Sequence, residues 1–423
     1  MDINSLLNGR QCACGKDHRC DIRYVYIEKN ACRNLKEIMA EFESIILVAD
    51  ENTFAAAGEK TIDALGEKIK AKVIFSGDRI LVPNEEAVKT VEAELSSCDA
   101  IIAIGSGVIQ DLCKFVANRN GIKYAVVATA PSMDGYASDG AAMILGGMKV
   151  TKSCRLPIAI VADTEVLKNA PMDMIKAGYG DILGKYSALN DWKLSKIINN
   201  EYFCPWIYDT TLSCTDATLK LAKGLLKRDE ESVKTLMEAL VTVGIMMKFA
   251  TTSRPASGSE HHLSHYFEIT GILNSTPYLC HGLDVAYSAY VTAFVRERLL
   301  EKDFSKTKPY SENELIADMK DQYGVLAESC IELQEKAGFY KADRSKIYKD
   351  KEALIKEVLR LSPTASQIKE MLSDIELDIN DFFKFYSKAQ IENAVLYAKD
   401  LKDRFTVLWL NFDIFGTKEP LFD

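Results

Sequence analysis

The pattern of apolar and polar positions changes character near residue 170. Before that point, short apolar runs alternate with stretches of helical spacing. IILVAD (45–50), KVIFSG (72–77), AIIAIGSG (100–107), KYAVVATAP (123–131) and PIAIVAD (157–163) each read as a strand. They are short, rich in β-branched residues and bounded by Gly, Pro or Asp. Between them, VPNEEAVKTVEAELSSC (82–98) has the spacing of an amphipathic helix, and DLCKFVANRNG (111–121) reads as a helix closed by Gly121. Apolar strands separated by helices predict a mostly parallel sheet with helices on both faces.

Beyond about residue 170 the spacing is helical throughout. MDMIKAGYGDILGKYSALNDWKLSK, SVKTLMEALVTVGIMMKFATT, GLDVAYSAYVTAFVRERLLEK, NELIADMKDQYG and IENAVLYAKDLKDRFTVLWL all show it, and no alternating strand stands out. The expectation is an α/β Rossmann-like domain over residues 1–170 and an all-α domain over 171–423. Residues 302–312 and 340–350 read as exposed connections. There is no internal repeat and no low-complexity tract.

Composition narrows the function classes. A length of 423 residues fits two domains, and 48% hydrophobic with 27% charged residues is ordinary for a globular chain. A net charge of −9 argues against nucleic-acid binding. No apolar run approaches the roughly 18 residues of a membrane helix, and the N-terminus lacks a signal-peptide core, so a cytoplasmic location is expected. Eleven cysteines, an odd number without framework spacing, suggest reduced thiols. Cys12, Cys14, His18 and Cys20 stand apart. Three thiols and an imidazole can hold zinc, but C-x-C-x3-H-x-C is a tight spacing for that purpose, and a loop with incidental thiols explains it as well.

Four of the five histidines fall between positions 261 and 281, in SGSEHHLSHYFE and CHGLD. Imidazole is the commonest metal ligand and titrates near neutral pH. On a helix His261 and His265 share a face, while His262 points about 100° away. That spacing suggests His261 and His265 as joint ligands, but it does not choose two among the four histidines. Asp181 lies near the start of the GYGDILGKY helix. One carboxylate and two imidazoles suit zinc, nickel or ferrous iron with open positions. Arg254, just before the cluster, is a candidate bidentate phosphate ligand, and Lys185 is a second candidate for the phosphate.

In the first domain, GSGVIQD (105–111) sits at a strand-to-helix junction. Gly105 and Gly107 let backbone approach a pyrophosphate at a helix N-terminus, although Gln110 breaks the G-x-G-x-x-G pattern. Asp50 ends the first strand of the set and is a candidate for the adenosine ribose hydroxyls. TAPSMDGYASDGA (129–141) is a long polar loop at the carboxyl end of a strand, where ligands of open α/β sheets bind.

Together GSGVIQD, TAPSMDGYAS, GYGDILGKYSALNDW, SRPASGSEHHLSH and CHGLD resemble the sn-glycerol-1-phosphate dehydrogenase family. That family lies within the superfamily of metal-dependent alcohol dehydrogenases, glycerol dehydrogenases and dehydroquinate synthases. The resemblance runs in order from about residue 45 to 290. It implies that Gly107, Val108, Ile109, Gln110 and Asp111, then Thr129, Ala130, Pro131 and Ser132, and also Ser138 contact NAD(H) or NADP(H). It implies that Asp134 contacts the substrate and that Asp181, His261 and His281 bind one divalent metal, with zinc favoured and nickel or iron admitted. Asp181 would also lie beside the substrate, and His265 would face the substrate rather than the metal. No role falls to His262. Where many relatives have Glu after HG, this chain has Leu283.

The implied reaction reduces dihydroxyacetone phosphate to sn-glycerol 1-phosphate, with the active site in the cleft between the domains. The implied partner is a small phosphorylated ketone or alcohol, with no nucleic acid and no membrane, and a homo-oligomer, a dimer favoured, is expected. A glycerol or other polyol dehydrogenase acting on an unphosphorylated substrate is the alternative. A dehydroquinate synthase-type lyase fits the motifs less well, and a non-catalytic relative is disfavoured because all three implied ligands are present.

Overall fold

The central strands are apolar at almost every position because both faces of the sheet are covered. In the computed structural model, Ile45–Asp50, Ala100–Gly105 and Ala159–Asp163 are buried along nearly their whole length. The structure describes residues 3–146, 148–307, 312–416 and 420–421, leaving aside the side chains of residues 148 and 149. These divide into two compact units, residues 1–182 with 216–252 and residues 183–215 with 253–423.

The first unit is built on a six-stranded sheet. Its order is Tyr24–Glu28, Ala159–Asp163, Lys123–Ala128, Ala100–Gly105, Ile45–Asp50, Ile69–Phe75. Every pairing is parallel. The five strands read from the sequence are present. The sixth, Tyr24–Glu28, was not expected. It is an edge strand in which half-buried residues alternate with buried ones, so it lacks the continuous apolar run that marks its neighbours. Two further hairpins also escaped the apolar pattern: Gly140–Leu145 with Met148–Ser153, and the two-residue ladder of Arg10–Gln11 with Asp17–His18.

Chain direction fixes where a ligand can sit on such a sheet. Strand Ile45–Asp50 is followed by Ile69–Phe75 on one side, whereas Ala100–Gly105 is followed by Lys123–Ala128 on the other. The order reverses between Ile45–Asp50 and Ala100–Gly105, and ligands of open α/β sheets bind at the carboxyl ends of such a strand pair, here beside Asp50 and Gly105.

The second unit is helical among the described residues. Its helices include Ser259–Asn274, His281–Leu300, Glu312–Tyr323, Ala327–Ala337, Ser345–Leu359 and Val407–Phe415. Two sequence readings change here. Residues 340–350 are not simply a connection, because a helix begins at Ser345 and buries Tyr348. IENAVLYAKDLKDRFTVLWL is not one helix. It is Lys388–Tyr397, a 3-10 turn at Ala398–Leu401, and Val407–Phe415. The break places Lys399 and Asp400, both fully buried, in a 2.7 Å ion pair. Gln334 Nε2 holds the turn by donating to the Asp400 and Lys402 carbonyls. Of the connection expected at 302–312, residues 308–311 lie outside the described residues. Among the described residues, no helix is long and apolar enough to cross a membrane.

Candidate active site

The helix Met172–Asn199 carries the motif G-x-x-D-x-x-G at Gly178, Asp181 and Gly184, three positions spaced by three and therefore on one broad face. A Cβ at Gly178 would fall 1.8 Å from the Pro131 carbonyl oxygen, so only glycine lets this helix touch the TAPSMDGYAS loop. Helix Glu230–Ala250 approaches the same loop through Gly244, whose Cβ would lie 2.7 Å from the Asp134 carbonyl oxygen. That packing lets the Asp134 backbone N–H donate to Asp181 Oδ2 at 2.8 Å. Gly184, one turn further on, leaves room for the Glu260 and Val285 side chains.

The histidines separate into distinct environments. His261 is buried, and its Nδ1–H donates to Glu260 Oε1 at 2.7 Å. A carboxylate oxygen only accepts, which leaves His261 Nε2 as the available ligand atom. Glu260 Oε1 is itself held by the Gly258 N–H at 3.0 Å. His281, at the first position of its helix, has Nδ1 3.3 Å from Ser264 Oγ. One ligand atom each from Asp181, His261 and His281 lies within 4.8 Å of the others. The oxygen and two nitrogens match the donor set of a catalytic divalent metal with open positions, and each ligand has an orienting hydrogen-bond partner. The residues present therefore fit the metal.

His265 stands beside this trio, with its ring centroid 6.2 Å from His261 and 5.7 Å from His281, and it is half-buried. It is not one of the converging ligands. Helical spacing suggested His261 with His265, whereas the group whose ligand atoms lie together is Asp181, His261 and His281. His262 is fully buried, and neither ring nitrogen has a hydrogen-bond partner among the described residues. Burial, then the Arg404, Lys402 and Arg254 cations, holds it well below the usual imidazole pKa, so it is a neutral core residue.

At the glycine turn, the two glycines have different reasons to be there. A Cβ at Gly105 would collide with Ile109 Cβ at 2.7 Å, whereas a Cβ at Gly107 would meet only Met133, at 3.7 Å. Gly105 is therefore required by packing, whereas Gly107, at the start of the helix Gly107–Asn120, has room for a methyl group in ordinary contact with Met133. The side chains of Ile109 and Gln110 are buried, and Gln110 Nε2 donates to the Gly135 and Tyr136 carbonyls. Asp111 pairs with Lys114 and accepts from the Ala142 N–H. Gln110 and Asp111 thus brace the loop and hairpin, which leaves the backbone of the first turn, with half-buried Val108, to face a phosphate.

Thr129, Ala130, Pro131 and Ser132 are nearly buried, and the Thr129 N–H donates to the Gly105 carbonyl at 3.2 Å. Ser138 is half-buried, and its Oγ donates to the Gly135 carbonyl at 3.2 Å. Asp50 Oδ1 caps the following helix by accepting from the Thr53 N–H at 2.8 Å.

The two cationic candidates are both buried. Arg254 is only 2% exposed. Its guanidinium donates to both carboxylate oxygens of Glu201, to the Phe405 carbonyl and to Ser195 Oγ. A guanidinium buried in such a network is a structural tie, so the phosphate role read from sequence is withdrawn. Lys185 is fully buried, with Nζ donating to the Ala256 carbonyl at 3.1 Å. The sequence did not reveal Asp191. This buried carboxylate accepts from the Ser259 and Val407 N–H groups and fixes the start of the histidine helix.

Comparison with known proteins gives the arrangement a family. The profile of the iron-containing alcohol dehydrogenases matches residues 26–171. A glycerol-1-phosphate dehydrogenase (NAD(P)+) of Geobacillus thermodenitrificans is 30% identical over 408 residues, 95% of each chain. One from Halalkalibacterium halodurans is 34% identical over 286 residues, 66% of this chain and 72% of the relative. The fold is shared with the iron-containing alcohol dehydrogenase of Thermococcus thioreducens, with a TM-score of 0.59 at 14% identity over 95% of this chain and 96% of that one. The protein is an oxidoreductase that uses NAD(P) and a divalent metal, and it belongs to the glycerol-1-phosphate dehydrogenase family within the superfamily of metal-dependent alcohol dehydrogenases.

Proposed function

We propose that the protein reduces dihydroxyacetone phosphate to sn-glycerol 1-phosphate with NADH or NADPH. Residues 1–170 would hold the dinucleotide and residues 171–423 the metal and substrate. The observation that carries the reading is the convergence of Asp181, His261 and His281, each oriented by a second group. The choice of a phosphorylated three-carbon substrate rests on the relatives.

When bound, the nicotinamide supplies the hydride, and the cation supplies Lewis acidity that stabilises developing negative charge on a ketone oxygen. The chain's own groups do the rest. Asp181, oriented by the Asp134 N–H, would position the cation beside the substrate, and Asp134 would contact the substrate. Glu260 accepts the Nδ1 proton of His261, which would leave Nε2 as the ligand atom. His265 would deliver the proton that neutralises the alkoxide, typically a ~10²–10⁴-fold contribution. In the first unit, backbone N–H groups from Gly107 would cradle the pyrophosphate, with the Thr129–Ser132 backbone and Ser138 bordering the cofactor. Asp50 keeps Oδ2 for a ribose hydroxyl, and its charge disfavours a 2′-phosphate, which favours NADH. We place the enzyme in the cytoplasm as a homo-oligomer, a dimer favoured.

The test compares NADH oxidation with dihydroxyacetone phosphate and with dihydroxyacetone. The reading expects the phosphorylated ketone to be preferred by orders of magnitude in kcat/KM, and sn-glycerol 1-phosphate as the product. Equal or better turnover of dihydroxyacetone would make the protein a polyol dehydrogenase instead.

A further inference from the structure

We propose that Cys12, Cys14, His18 and Cys204 bind a structural zinc ion, separate from the catalytic metal. The ligand atoms of these four residues lie within 4.8 Å of one another, and none of the three cysteines is in a disulfide. Zinc at about 2.3 Å from sulfur and 2.0 Å from nitrogen gives a tetrahedron with edges of roughly 3.5–3.8 Å. The Cys14 Sγ to His18 Nε2 separation is 3.4 Å, close to such an edge. Three sulfurs and one nitrogen complete a closed tetrahedral set, the composition of a structural zinc site.

The local fold prepares the ligands. Cys12 and Cys14 sit in a tight turn in which the Cys12 N–H donates to the Lys16 carbonyl and the Gly15 N–H to the Cys12 carbonyl. Gly15 makes this possible with φ of +89°, a left-handed conformation that side chains disfavour. His18 is fully buried, stacks on Phe249 with ring centroids 5.5 Å apart, and has Nδ1 3.0 Å from the Phe249 carbonyl. A carbonyl only accepts, so Nδ1 bears the proton and Nε2 turns its lone pair toward Cys14. This is the backbone-to-histidine brace found behind metal ligands.

The energetics point the same way. Arg10–Gln11 paired with Asp17–His18 is a ladder of two residues per strand, too short to hold itself in water. Lys16 anchors it in part, through the Ala250 carbonyl and Thr251 Oγ1. A metal staple is the usual device for a segment with so little core. The fourth ligand is not the nearby Cys20 of the sequence motif but Cys204, fully buried just ahead of the helix Pro205–Leu219.

The test exchanges cobalt(II) into the full-length protein and reads the near-ultraviolet thiolate-to-cobalt charge-transfer band. The aspartate and imidazoles of the catalytic set cannot produce this band, so the result does not depend on the proposed reaction. The band is expected in the wild type, in His281→Ala and in Cys20→Ser, and should vanish in the Cys12→Ser/Cys14→Ser double variant. Cys12→His keeps four ligands and two thiolates, so it should retain cobalt with the band reduced by about a third. That outcome does not depend on the double variant folding. Absence of the band in cobalt-loaded wild type, or an undiminished band in Cys12→His, would overturn the proposal.

Discussion

Asp181, His261 and His281 present one oxygen and two nitrogens, whereas Cys12, Cys14, His18 and Cys204 present three sulfurs and one nitrogen. Both sets use buried imidazole, and both fix it from behind, with Glu260 bracing His261 and the Phe249 carbonyl facing His18. The difference lies in number and softness. Three oxygen and nitrogen donors would leave coordination positions for a substrate, while four donors dominated by thiolate would fill the tetrahedron and leave none. Similar bracing would thus support a site for chemistry in one region and a staple for a short hairpin in the other.

The comparison can be broken at several points. His281→Ala should have the largest effect, abolishing catalytic metal binding and NADH oxidation while leaving the cysteine-bound ion in place. Metal analysis beside a rate assay checks it, and undiminished activity would contradict the assignment. His265→Ala should retain both ions and lose ~10²–10⁴-fold in kcat. Loss of metal in that variant would move His265 into the ligand set.

Arg254→Ala should destabilise the second unit by about 2 kcal/mol, because it removes the buried guanidinium that ties Glu201 to the Phe405 carbonyl. Denaturant unfolding reads this, and the KM for dihydroxyacetone phosphate should stay unchanged. A raised KM with normal stability would restore a phosphate-binding role. Gly107→Ala is the mildest change and the sharpest probe of the glycine turn. The protein has room for the methyl group, so stability should hold, while a pyrophosphate lying close above should raise the NADH KM by about tenfold. An unchanged KM would show that the turn carries no cofactor.

How much was legible in the sequence follows from the same physics. Central strands such as AIIAIG announced themselves because burial on both faces demands an unbroken apolar run. The edge strand YVYIE did not, since one half-buried face breaks the run. The candidate metal residues were visible as a crowding of imidazoles, and their division came from the family resemblance, not from spacing. Helical spacing favours His261 with His265, and only the start of the next helix brings His281 to within 5.1 Å of His261 by ring centroid. Arg254 misled because a cation near a candidate site gives no sign in sequence of the Glu201 carboxylate that buries it. Cys20 misled for the same reason, since proximity along the chain is a poor guide when the fourth ligand comes from 190 positions beyond Cys14.

The central claim is that Asp181, His261 and His281 hold the metal on which ketone reduction depends. It is tested most directly by stripping the full-length protein of metal and following NADH oxidation with dihydroxyacetone phosphate before and after a single divalent cation is returned. The account predicts that activity falls to background and is restored by zinc, nickel or ferrous iron in the wild type but not in His281→Ala. Full activity in the metal-free protein would contradict it.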